Sequence, residues 1–145
     1  TAIPGEVIEQ QWIIEYILSL AKKYNIVEID YDPWNATEVG QRMENEGFSC
    51  VEVRQGVYTL SEPMKDVERL AIQGKLIHFD DPVLRWAISN VVAVTDSNGN
   101  IKPDKEKSTE KIDGAVAMIM ALDRAIRCGC VSDESVYDSR EMLIL

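Results

Sequence analysis

The chain predicts an α/β fold. A β-branched run, an amphipathic run and a second β-branched run follow one another between Ile26 and Val53, and a long apolar helix is legible between Ile112 and Ile126. Strand, helix, strand within about 30 residues favours a parallel pair with a crossover, and parallel pairs belong to sheets covered by helices. The 46% hydrophobic content over 145 residues suits one ordinary domain around one core.

From Glu6 to Tyr24, Ile8, Trp12, Tyr16, Leu20 and Ala21 recur at helical spacing with Ile13 and Ile17 beside them. An amphipathic helix is expected there, with Pro4 before its start and Lys22 and Lys23 in its last turn. Ile26-Val27-Glu28-Ile29 reads as a short strand, ended by Asp30-Tyr31-Asp32-Pro33 because proline cannot pair. Asn35 or Thr37 is the expected cap of a second helix that reaches about Glu46, where Gly47 stops it. Phe48 to Val53 is the next strand. Ser61 is expected to cap a third helix, with Met64, Val67, Leu70 and Ala71 as its stripe up to Gly74. Leu76 to Phe79 is extended, and Asp81-Pro82 starts a helix carrying Leu84, Trp86 and Ile88. Val91–Thr95 and Ile101–Lys102 flank Asn98-Gly99, a strong hairpin signal. Lys102 to Lys111 reads as a solvated, charged loop. Ile112 to Ile126 is apolar over more than half its circumference, so it reads as a buried helix. Residues 1–126 are thus expected to form the domain and residues 127–145 a C-terminal tail.

Charge and composition narrow the function classes. A net charge of −10 argues against a Lys/Arg-rich surface that grips phosphates by itself. It leaves plain solubility, or a carboxylate cluster whose divalent cations bridge to a polyanion. No apolar run approaches the roughly 18–20 residues of a bilayer span, so no membrane contact is expected. The opening residues lack the pattern of a signal peptide, and the missing initiating Met fits a cut or processed chain. Cys50 reads as a core residue, and Cys128-Gly129-Cys130 is too closely spaced for a redox or zinc pair. With one histidine in the chain, a Cys/His zinc site is not expected.

Two acidic positions carry the chemistry. Asp30 and Asp32 lie at the carboxyl end of the first strand, where ligands of parallel α/β sheets gather. Asp-Pro is also ordinary turn chemistry. Asp113 occupies the first turn of the apolar helix, where the helix dipole alone would favour it. Gly114 beside it leaves room for close approach to the backbone, and Lys111 is near enough to reach a phosphate. His78 is a secondary candidate. Trp34 and Trp86 read as core aromatics rather than stacking platforms. The Lys102–Lys111 run is the one basic cluster where a nucleic-acid backbone would lie.

Tyr31-Asp32-Pro33-Trp34-Asn35-Ala36, Arg54-Gln55-Gly56, Leu60-Ser61-Glu62-Pro63, Gly74-Lys75-Leu76-Ile77-His78, Asp81-Pro82-Val83-Leu84-Arg85-Trp86, Asn90, Asn98-Gly99-Asn100 and Lys111-Ile112-Asp113-Gly114-Ala115 occur in one order. As a set they resemble the C-terminal nuclease domain of the large terminase subunit of tailed bacteriophages and prophages. The resemblance implies an RNase H-like mixed sheet flanked by helices. It also implies divalent Mg or Mn held by aspartates, and cleavage of concatemeric double-stranded DNA during packaging. By that likeness Asp32 and Asp113 are metal ligands, Asp30 a supporting ligand, and His78 and Lys111 secondary catalytic residues. The implied partners are DNA, the terminase small subunit, the portal protein and an ATPase domain of the same polypeptide, in the host cytoplasm.

The family's opening three-stranded meander, which carries its first metal-binding aspartate, is missing from this sequence. Weak cleavage by these residues alone is therefore expected. So is either self-association through the edge at Ile26–Ile29, or its covering by the apolar end Met142-Leu143-Ile144-Leu145. The competing reading is a non-catalytic assembly or docking module of the same machinery.

Overall fold

Among the described residues, four elements build the unit Thr1–Arg54: α1 (Gln10–Ala21), β1 (Ile29–Tyr31), α2 (Pro33–Asn45) and β2 (Cys50–Glu52). The computed structural model describes residues 9–128 and 143–144 of the chain. β1 and β2 pair in parallel as the sequence predicts, with Ile29 opposite Cys50 and Tyr31 opposite Glu52. The strand begins later than Ile26 and takes in Asp30 and Tyr31. The helix closes on Gly47 at φ +92°, a backbone conformation that glycine adopts without a Cβ clash. The amides of Gly47 and Phe48 reach back to Glu44 and Met43 at 2.9 and 3.1 Å and satisfy the last turn.

Ile14, Val39 and Met43 form the core of this unit, with Ile17, Leu18, Ile29, Phe48 and Cys50 packed on it. Here the expected phase of α1 fails. Trp12 and Tyr16 are half exposed, and the buried line runs through Ile14, Ile17 and Leu18. The helix is apolar round most of its circumference, so periodicity locates the helix but leaves its inward face open. At Gly40 an added Cβ would stand 2.5 Å from the Tyr31 ring, so only glycine lets α2 lie this close to β1.

The unit Gln55–Leu145 holds α3 (Val57–Ile72), β3 (Leu76–Ile77), α4 (Pro82–Ser89), β4 (Ala93–Thr95), β5 (Ile101–Pro103), α5 (Asp113–Cys128) and β6 (Leu143–Ile144). α5 is the expected buried helix: Ala115, Val116, Ile119, Met120 and Leu122 are all at or below 5% exposure, and it packs on α3 and α4. The predicted hairpin forms as β4–β5, antiparallel, with Val94 opposite Lys102. Its turn is held by Asp96, whose Oδ1 accepts from the amides of Asn98 and Asn100 at 2.8 and 2.9 Å.

Ser61 is not a cap. α3 starts a turn earlier at Val57, with Gly56 at its N-cap, and Ser61 is buried inside it. Its hydroxyl accepts the amide of Ile101 at 3.1 Å and so ties β5 to the helix. Pro63 lies inside the helix and is itself buried; the packing of Leu60 and Pro63 offsets the lost backbone bond. On α4, Asp81 caps as expected, but Ala87 is the buried residue and Trp86 is 44% exposed. The apolar end of the chain does pair, though with β3 rather than the Ile26–Ile29 segment: Leu143 lies parallel and opposite Leu76.

Among the described residues the strands form three two-stranded sheets. No helix there is long and apolar enough to cross a membrane.

Candidate functional site

Asp32 stands just past the carboxyl end of β1 and is the N-cap of α2. Its Oδ1 accepts the amide of Trp34 at 3.1 Å, and Pro33 fills the first helical position, where no amide is needed. The expected caps, Asn35 and Thr37, both lie inside the helix, and the Thr37 hydroxyl donates to the Pro33 carbonyl at 2.8 Å. Asp32 wins because the proline immediately after it fixes where the helix begins. The carboxylate is half-buried and backbone-anchored. A carboxylate offers about four acceptor sites, so a cap bond leaves room for another ligand. Asp30 is half-buried in the middle of β1, opposite Val51. Tyr31 between them donates to Glu52 Oε1 at 3.4 Å, and burial together with that carboxylate pushes its hydroxyl pKa up.

Asp113 is the first residue of α5, and its side chain is 69% exposed. Lys105 Nζ pairs with its Oδ1 at 3.1 Å. The adjacent Lys111 is exposed. Gly114 does not leave a gap for a ligand: an added Cβ would meet Ala87 and Leu84 of α4 at 3.6 and 3.8 Å, ordinary packing distances.

The Lys102–Lys111 run is an organised turn rather than a loose loop. The Asp104 carboxylate accepts the amides of Glu106 and Lys107 at 3.0 and 3.3 Å. The Asp104 carbonyl accepts the Ser108 hydroxyl at 2.6 Å, and the Ser108 Oγ in turn accepts the amide of Val92 at 3.2 Å. This turn walls a cavity of about 350 Å³ in which Lys102, Asp104, Lys105 and Glu106 meet an apolar floor of Leu60 and Val116. Lys105 thus links that cavity to Asp113, a role the sequence hides because the contact closes across the turn.

His78 is exposed, and its Nδ1 accepts the amide of Asp80 at 3.0 Å. In the neutral ring this places the proton on Nε2, which therefore donates. Asp80 itself sits at φ +56° and pairs with Arg85, whose hydrogen bond holds its carboxyl below the usual range.

The sequence-predicted residues are thus divided: Asp30 and Asp32 in the first unit, His78, Lys111 and Asp113 in the second. Among the described residues no three His, Cys, Asp or Glu side chains gather into a metal cluster.

Comparison with known proteins gives consistent relatives. The family model of the terminase large subunit, endonuclease domain, matches residues 1–128. Protein YmfN of Escherichia coli K12 is 34% identical over 128 residues, which cover 87% of this chain and 28% of that protein. The large terminase subunit of Enterobacteria phage HK97 is 30% identical over 124 residues, 84% of this chain and 25% of that one. The crystal structure of the HK97 bacteriophage large terminase superposes with a TM-score of 0.76 at 30% identity, over 85% of this chain and 26% of that one. The chain therefore spans about a quarter of the length of these relatives.

Proposed function

The chain belongs to the family of terminase large-subunit endonuclease domains, and from that premise we propose that it is part of a metal-dependent endonuclease that cuts concatemeric double-stranded DNA during phage DNA packaging. The observation that carries this reading is the placement of both family-matched aspartates at element ends. Asp32 ends a parallel strand and Asp113 opens a helix, each with a carboxylate reachable from solvent.

Carboxylate oxygens are the hard ligands that Mg and Mn take, so the donor chemistry fits. By the family resemblance Asp32 and Asp113 would each serve as a metal ligand, with Asp30 supporting Asp32. The ion, when bound, supplies an activated water and charge stabilisation at the leaving oxygen. Asp32 is positioned before any ligand arrives. The pairing of Asp113 with Lys105 is exposed and worth at most about 1 kcal/mol, so a cation can replace it. Lys105 and Lys111 are then available to a DNA phosphate, and His78 to donate from Nε2. RNase H-like sheet order, the small subunit, the portal, a motor domain of the same polypeptide and the host cytoplasm follow from the same reading.

The second reading is a non-catalytic docking module. It is favoured by the structural tasks both aspartates already perform, one as a cap and one as an ion pair. Cation binding separates the two. Under the nuclease reading, Mn raises the melting temperature of the chain, because a ligand of the native state alone stabilises it, and Asp113→Asn removes the rise. A melting curve unmoved by millimolar Mn supports the docking module instead.

A further inference from the structure

Trp34 contradicts its sequence reading as a core aromatic. At 86% exposure it is the most exposed large apolar side chain among the described residues. The helix phase leaves it no alternative. Val39, Gly40 and Met43 mark the buried face of α2, and at 3.6 residues per turn Trp34 falls roughly opposite them, on the face of Glu38 and Gln41.

Its backbone placement is also fixed. Pro33 sets the backbone before it, and its own amide is the donor to Asp32 Oδ1, so indole and carboxylate are held by one turn of chain. A rigid aromatic with two rotatable bonds offers a large contact area at little entropic cost. Exposed aromatics are surfaces against which sugars and locally unstacked bases pack. The charges around it are acidic, Asp32 and Glu38, so a polyanion comes near only with a cation present.

We propose that Trp34 is a DNA-contacting residue of the Asp32 site, its indole lying against the sugar and base of the nucleotide whose phosphate the cation draws in. This rests on the nuclease reading above and adds to it a non-metal contact that positions the strand.

The chain has three tryptophans, so Trp12→Phe with Trp86→Phe leaves Trp34 as the sole indole. Both replaced residues are at least 44% exposed, so the fold tolerates the change. Titration with a short unlabelled duplex in Ca2+ should quench Trp34 emission by about half or more. Independently, Trp34→Ala in the otherwise native chain should weaken binding of a labelled duplex roughly 5- to 150-fold with the melting temperature unchanged, and Trp34→Phe should restore most of it. Duplex binding with unquenched emission and a Trp34→Ala affinity within about twofold of native overturns the proposal and leaves the nuclease reading standing. If the native chain fails to bind the duplex in Ca2+, Mg2+ and Mn2+ alike, both are overturned.

Discussion

Asp32 and Asp113 carry the same functional group and are held in opposite ways. Asp32 is half-buried, bonded to the backbone and locked beside a proline. Asp113 is 69% exposed and held by one flexible lysine. The first carboxylate is set by the fold, while the second is set by a counter-charge that a cation or a phosphate can displace. A carboxylate fixed by the backbone keeps its geometry, while one held by an exposed lysine responds to what binds it.

The sharpest way to break this comparison is activity. In plasmid nicking with Mn, both Asp32→Asn and Asp113→Asn should lose at least about a hundredfold, since the ion supplies several kcal/mol of transition-state stabilisation. Nicking that survives either change removes that residue from the site.

Two glycines give the next contrast. Gly40→Ala drives a Cβ to 2.5 Å from the Tyr31 ring and should cost about 1–3 kcal/mol by overpacking. Gly114→Ala meets its neighbours at 3.6 Å or more and should be neutral or stabilising by up to about 1 kcal/mol through helix propensity. Chemical denaturation of the two variants measures both. Equal losses would mean that α5 and α4 are packed as tightly as α2 and β1.

The aspartates themselves come next. Asp32→Ala loses a helix cap and should cost about 1 kcal/mol of stability. Asp113→Ala loses an exposed ion pair and should stay within about 0.5 kcal/mol. The smallest effect is in pH. Hydrogen bonds from Asn100 and Asn98 hold the Asp96 carboxyl below its ordinary 3.8. A depressed carboxyl stabilises above the unfolded value, and that contribution is lost as pH falls through the folded one. Thermal melting should therefore be level down to about pH 4 and decline below it, with a shallower decline in Asp96→Asn.

The element types were legible where local chemistry spoke without ambiguity. Asn98-Gly99 announced the hairpin, Asp81-Pro82 a helix start and Gly47 a helix stop. Sequence signals mislead where two of them compete. Asp32 and Thr37 both suit a cap, and only the position of Pro33 decides between them. Ser61 suits a cap too, yet Leu60 and Pro63 draw it inside, where its hydroxyl serves a distant strand. For α1 and Trp34 the helix was visible, but which face turned inward depended on partners far along the chain. The Lys105–Asp113 contact was out of reach for a different reason, because it closes only once the Lys102–Lys111 run has folded into its turn.

The pairing of β3 with β6 also has a history in time. Leu76 and Ile77 leave the ribosome long before Leu143 and Ile144 exist, and synthesis at roughly 5–20 residues per second leaves that strand without its partner for several seconds. Throughout that delay an apolar backbone edge is open to neighbouring nascent chains, and it closes only once Leu143 and Ile144 have been made. Slower elongation between Ile77 and Leu143 would lengthen that exposure without altering a single residue of the protein.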